Sequence, residues 1–107
     1  MTREDLIYFA GLFDGEGTIG CYNVCDRNRP RLNVALGMCH KKTIEWCQSV
    51  GGGGITVRPA AGKWNTLYKW QLVDKRALEF MELLVPFLKT KKNKAIEATK
   101  KYRASLA

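Results

Sequence analysis

Residues 9–17 read FAGLFDGEG, an apolar run that passes directly into two acids, Asp14 and Glu16, spaced by glycines. The pattern starts upstream. Thr2 and Asp5 have capping-box spacing, and Leu6, Ile7, Phe9, Ala10, Leu12 and Phe13 predict a short helix buried on most sides. Residues 14–17 are expected to end it, glycine supplying either a positive φ or room for close approach. A helix C-terminus carries partial negative charge, so acids there are disfavoured unless a cation compensates them. A divalent cation held by oxygen ligands and shared with a phosphate is one account of the two carboxylates. An ordinary Asp-Gly turn is the other.

Downstream, residues 18–24 predict a strand, 26–30 a polar turn and 31–38 a second strand. On that second strand Leu32, Val34, Leu36 and Met38 alternate with Arg31, Asn33, Ala35 and Gly37, so one face is core and the other small or polar. Residues 42–50 predict a short helix with Ile44, Trp46 and Cys47 inward, ended by the glycines 51–54, which read as a hinge or turn. A second hairpin, 55–58 and 66–73, encloses a loop over 59–65. Asp74 is placed to cap a third helix over 77–88, with Pro86 bending it or standing near its end. Residues 89–107 are basic and helix-prone, with Ala95, Ile96, Ala98 and Tyr102 as an apolar stripe. The order predicts an α+β fold, a four-stranded antiparallel sheet with helices on one face and a free polar face opposite.

At 107 residues the chain suits a single domain, and no apolar run approaches the ~18 residues of a membrane span. The N-terminus lacks the look of a signal or transit peptide, which predicts an intracellular protein, in a bacterial or archaeal cytoplasm or a eukaryotic organelle. Eighteen Lys and Arg against ten Asp and Glu leave a net charge of +8, which fits a polyanionic partner such as nucleic acid and, on charge alone, a merely basic soluble protein equally well. Cys21, Cys25, Cys39 and Cys47, with His40, lack the knuckle spacing of a structural zinc site. They read instead as free thiols.

The nine-residue run resembles the LAGLIDADG motif, differing at Phe9, Phe13, Gly15 and Glu16. The resemblance covers essentially the whole chain, since the αββαββα order of LAGLIDADG homing endonucleases follows the order read above. The stretch 84–91 (LVPFLKTK) is also similar to a Pro-Phe-Leu-Lys-x-Lys segment of dimeric members. A single motif implies a homodimer, with Phe9, Ala10, Gly11, Phe13 and Asp14 at the helix crossing and a near-palindromic target in double-stranded DNA. The implied activity is a staggered double-strand break by Mg²⁺-dependent phosphodiester hydrolysis, with no small-molecule cofactor, by an intron-encoded enzyme.

In the resemblance Glu16 takes the place of the essential acid, where aspartate is commoner, and the carbonyl of Gly15 is a further metal ligand. Asp14 would support the turn. Lys91 corresponds to a basic residue near the site, although a solvated lysine in a basic run reads equally well. His40 falls where relatives carry a polar residue that orders water, and is otherwise incidental. The free sheet face would lie in the major groove. Gly20, Tyr22, Val24, Arg31, Asn33, Ala35 and Gly37 are then outward, with Ile19 and Cys21 inward. On the second hairpin Thr56, Arg58, Lys69 and Gln71 are outward and Tyr68, Trp70 and Leu72 inward, a set that a one-residue slip would reverse. Arg58 suits guanine and Asn33 or Gln71 adenine, while Arg27, Arg29 and Lys63 suit phosphates. A protein of the same fold that binds without cutting, as an RNA-splicing maturase or a DNA-binding regulator, is the first alternative. A basic RNA-binding or interaction domain with a chance motif is the second.

Overall fold

The structure, a computed structural model, describes residues 1–23 and 28–106. The expectations for Val24, Cys25, Asp26 and Arg27 fall outside the described residues. Elements follow the order α1 (Arg3–Glu16), β1 (Gly17–Tyr22), β2 (Arg31–Met38), α2 (Lys41–Gly51), β3 (Gly54–Arg58), β4 (Leu67–Val73), α3 (Asp74–Leu84), a 3₁₀ turn (Val85–Phe87) and α4 (Lys92–Ser105). All pairings are antiparallel and the strand order is β1-β2-β4-β3, which puts β2 and β4 at the centre.

The capping box forms as the spacing predicts. Asp5 N–H donates to Thr2 Oγ1 (3.0 Å) and Thr2 N–H to Asp5 Oδ2 (3.1 Å), satisfying amides the first turn leaves open. At the other end the helix runs on through Gly15 and Glu16, and its C-cap Gly17 has φ −79°. Glycine is needed there for space. A Cβ on Gly17 would lie 2.7 Å from the Cα of Phe13. The glycine run after α2 is a fixed turn in which Gly52 and Gly53 take φ of 74° and 82°, and Trp70 Nε1 donates to Gly52 O (2.6 Å).

The core lies between the helices and the inner face of the sheet, where Ile19, Leu32, Val34, Leu36, Trp70 and Leu72 are buried. Phe9 is its centre, with ring centroids 4.7 Å from Trp46, 5.3 Å from Trp70 and 5.0 Å from Phe80. Both phenylalanines of the opening motif are fully buried, so their bulk serves this aromatic cluster.

Two local expectations fail. Asp74 does not cap its own helix from the preceding position: it is the first residue of α3, at φ 52°, and its Oδ1 accepts from Leu32 N–H (3.3 Å) on β2. On α4 the inward stripe is Ala95, Ala98, Thr99 and Tyr102, whereas Ile96 is exposed. The i, i+3, i+4, i+7 spacing of those four defines one face that excludes position 96. Thr99 is tolerated inside because its hydroxyl donates to Ala95 O (2.9 Å).

Candidate active site and nucleic-acid interface

The end of α1 and the segment before α4 are stitched together. Asp14 accepts from the backbone N–H of Lys89 (2.9 Å) and of Lys91 (3.0 Å), and Lys91 Nζ donates to Gly17 O. Two residues remote in sequence, Glu16 and Lys91, therefore share one corner of the fold. Asp14 supports a turn as expected, but that turn is residues 89–91 and not its own. The last turn of α1 contains no basic residue, so the Lys91 ammonium beside it offsets the negative end of the helix.

Glu16 is exposed, and its carboxylate has no hydrogen bond or ion pair among the described residues. The carbonyl of Gly15 belongs to the last turn, where C=O groups lack intrahelical donors. One carboxylate and one carbonyl are hard oxygen donors of the kind Mg²⁺ takes, yet they are too few for a complete site. Among the described residues no cluster of three or more His, Cys, Asp or Glu is placed to hold a metal. A cation here would need ligands beyond these two.

The register puts the expected outward residues on one face. Gly20 lies opposite Asn33 and Tyr22 opposite Arg31; Ala35 faces Gln71, Gly37 faces Lys69, Thr56 faces Lys69 and Arg58 faces Leu67. Tyr22, Arg31, Thr56, Arg58 and Lys69 are exposed. Trp70 and Leu72 are buried on the opposite face, so the second hairpin has not slipped. Asn33 and Gln71 are half-buried because Gln71 Nε2 donates to Asn33 Oδ1. Arg29 is exposed in the β1–β2 connection and Lys63 in the β3–β4 loop. Beside Lys63 stands Trp64, 64% exposed, with the Lys63 ammonium 5.8 Å from its ring centroid. The sequence reading of this loop rests on Lys63 alone and does not single out the tryptophan, for which a large aromatic next to a lysine in a hairpin loop is the available signal.

His40 is elsewhere. It is the N-cap of α2, its Nδ1 accepting from Thr43 N–H (3.3 Å), and it lines a cavity of about 420 Å³ with Glu4, Asp5, Tyr8 and Trp46. The capping geometry accounts for the hydrogen bonding of its ring to Thr43.

The expected helix crossing is also revised. Phe9, Ala10 and Phe13 are at most 2% exposed, committed to the chain's own core, and have no surface left for a partner. Asp14 is half-buried by its bonds to residues 89–91. The open side of α1 is instead Ile7, Tyr8, Gly11 and Gly15, and a Cβ at either glycine would meet nothing within 4 Å. Among the described cysteines, burial pushes the Cys47 thiol up to about 12, a hydrogen bond to backbone offsetting it slightly. Burial also raises Cys21, against the opposing field of Lys101, while Cys39 is exposed.

A capped apolar helix ending in an acid, a sheet of order β1-β2-β4-β3 and a polar outer face define the LAGLIDADG homing-endonuclease fold. The chain superimposes on the homing endonuclease I-CvuI, in complex with its target in the presence of Ca, with a TM-score of 0.78 at 18% identity over 96% of this chain and 68% of that one. It matches the archaeal intron-encoded I-Vdi141I, complexed with DNA, at 0.73 and 16% identity over 96% and 69%. The LAGLIDADG enzyme I-GzeII, in complex with a DNA target, matches at 0.59 and 17% identity, over 90% of this chain but 34% of its own. No family model and no curated sequence matches the chain.

Proposed function

We propose that this chain is one half of a homodimeric, divalent-cation-dependent endonuclease that cuts double-stranded DNA at a long, near-palindromic site. The observation that carries this reading is a Glu16 carboxylate with no hydrogen bond or ion pair among the described residues, at the end of a helix whose exposed side includes two open glycines, Gly11 and Gly15. Small residues four apart suit a close crossing with a second copy of the helix, which would bring two Glu16 carboxylates together. DNA-bound neighbours of the same fold support the choice of ligand.

In the dimer, Glu16 of each chain and the Gly15 carbonyls would hold Mg²⁺ or a similar cation, the pair of chains making up the ligands that one lacks. Such a cation supplies charge neutralisation at a phosphate and a more acidic bound water. The chain's own residues do the rest. Asp14 holds residues 89–91 against the motif, and Lys91 thereby keeps a fixed ammonium near the developing phosphate charge. The outer sheet face reads base edges in the major groove through Tyr22, Arg31, Asn33, Thr56, Arg58, Lys69 and Gln71. Arg27, Arg29 and Lys63 grip phosphates. The same reading implies an intron-encoded gene and an intracellular site of action.

The test is cleavage of a randomised duplex library with Mg²⁺ by wild type and Glu16→Gln, followed by sequencing of the cut ends. Staggered cuts at one near-palindromic site by wild type alone are the expected result. Tight, specific binding without cutting would replace this reading with a DNA-binding regulator, and preference for folded RNA with a maturase.

A further inference from the structure

Gln71 and Asn33 are the only amide side chains of the outer sheet face among the described residues, and they are bonded to each other. The two sit diagonally on the central strands: Gln71 stands opposite Ala35 on β2, and Asn33 is two residues along. A long side chain spans such a diagonal. Its reach is shaped by small neighbours. Gly54 faces Gln71 from β3, with nothing within 4 Å of a Cβ there, and Ala35 is 3% exposed although it points outward, covered by the side chains around it.

We propose that Asn33 and Gln71 form a single reading unit for one adenine in each half of the target. This deepens the DNA-cleavage reading above and rests on it. The bond between Gln71 Nε2 and Asn33 Oδ1 leaves one amine, Asn33 Nδ2, and one carbonyl, Gln71 Oε1, without protein partners among the described residues. The result does not depend on which way the amides are turned, because reversing both still frees one amine and one carbonyl. In the major groove adenine presents an acceptor, N7, beside a donor, the N6 amine, and so complements that set. Guanine presents two acceptors and would leave the carbonyl facing oxygen. An isolated Asn or Gln can satisfy adenine alone; here each has given part of its capacity to the other, so neither reads independently.

The experiment is selection of bound duplexes from a randomised pool by the full chain in Ca²⁺. It uses wild type, Asn33→Ala, Gln71→Ala, the double variant and Asn33→Asp. Wild type should enrich adenine at one base pair per half-site, and each alanine variant should lose about ten-fold or more of that preference at the same base pair. The double variant should lose no more than about two-fold beyond either single one, whereas independent sites would multiply their losses. Asn33→Asp keeps an oxygen for Gln71 but replaces the outward amine, and should lose the adenine preference too. Unchanged enrichment at the other positions certifies that each variant folds. Losses at two different base pairs, or losses that multiply, overturn the proposal. If wild type holds no duplex with any sequence preference, the DNA reading itself falls, and the pair with it.

Discussion

Asp14 and Glu16 stand one residue apart and face opposite demands. Asp14 satisfies two backbone amides of residues 89–91 and is half-buried, so Asp14→Ala should lower stability by about 1–3 kcal/mol in urea denaturation, because two charge-assisted bonds are lost. The same change releases Lys91, and cleavage should fall further than the stability loss explains. Glu16 makes no hydrogen bond or ion pair among the described residues, so Glu16→Gln should leave the melting midpoint in place while abolishing cleavage, and a large drop in midpoint would give Glu16 a structural role instead. The cysteines differ in the same residue-by-residue way. Among the described ones, Cys39 should react first with a thiol reagent at neutral pH, and Cys47 only on unfolding. Since the Cys47 thiol is raised in the folded state, its contribution to stability is complete below pH about 9 and declines from there to about 12, where the folded thiol ionises as well. A Cys47→Ala variant should show a shallower alkaline decline in denaturation experiments, and an unchanged decline would assign it to other groups.

At the scale of elements, α1 is a helix with two faces of different purpose. Its Phe9, Ala10 and Phe13 side packs into the aromatic cluster, while Gly11 and Gly15 leave the other side bare. The bare side makes a prediction whose sign decides the assembly. In a lone chain Gly11→Ala removes a poor helix former with room for the methyl, and should stabilise by about 0.5–1 kcal/mol. In a dimer whose helices cross at Gly11 the methyl separates the backbones, and sedimentation should show a weaker dimer with less cleavage. A more stable protein of unchanged assembly and activity would remove Gly11 from the interface. The β3–β4 ribbon is the contrasting element, since Val57 is exposed on the inner-face alternation and the helices leave that end of the ribbon uncovered.

For the whole molecule, the +8 charge is spread over both the outer sheet face, with Arg31, Arg58 and Lys69, and the lysines around the start of α4. DNA affinity measured by fluorescence anisotropy should therefore fall steeply with salt, by on the order of a thousand-fold between about 50 and 200 mM for six or more neutralised phosphates. A shallow dependence would contradict a wrapped duplex and favour a small contact patch.

Much of the architecture was legible because it rests on local pattern. Thr2 and Asp5 spell a cap, β2 alternates at period two over Arg31–Met38, and the nine-residue run marks the helix that carries the acid. The faces of the strands followed from the same alternation. What residue order alone could not settle was which surface a side chain meets, because that depends on elements brought together from far along the chain. Phe9 and Phe13 look equally fit for a partner or a core until Trp70 and Phe80 close over them. His40 follows β2 directly, and its place beside Tyr8 in one cavity is set only when α1 packs against the start of α2. Lys91 is one lysine in a basic run until Asp14 anchors its backbone, and Asn33 and Gln71 are separate polar residues until the β2–β4 register joins them.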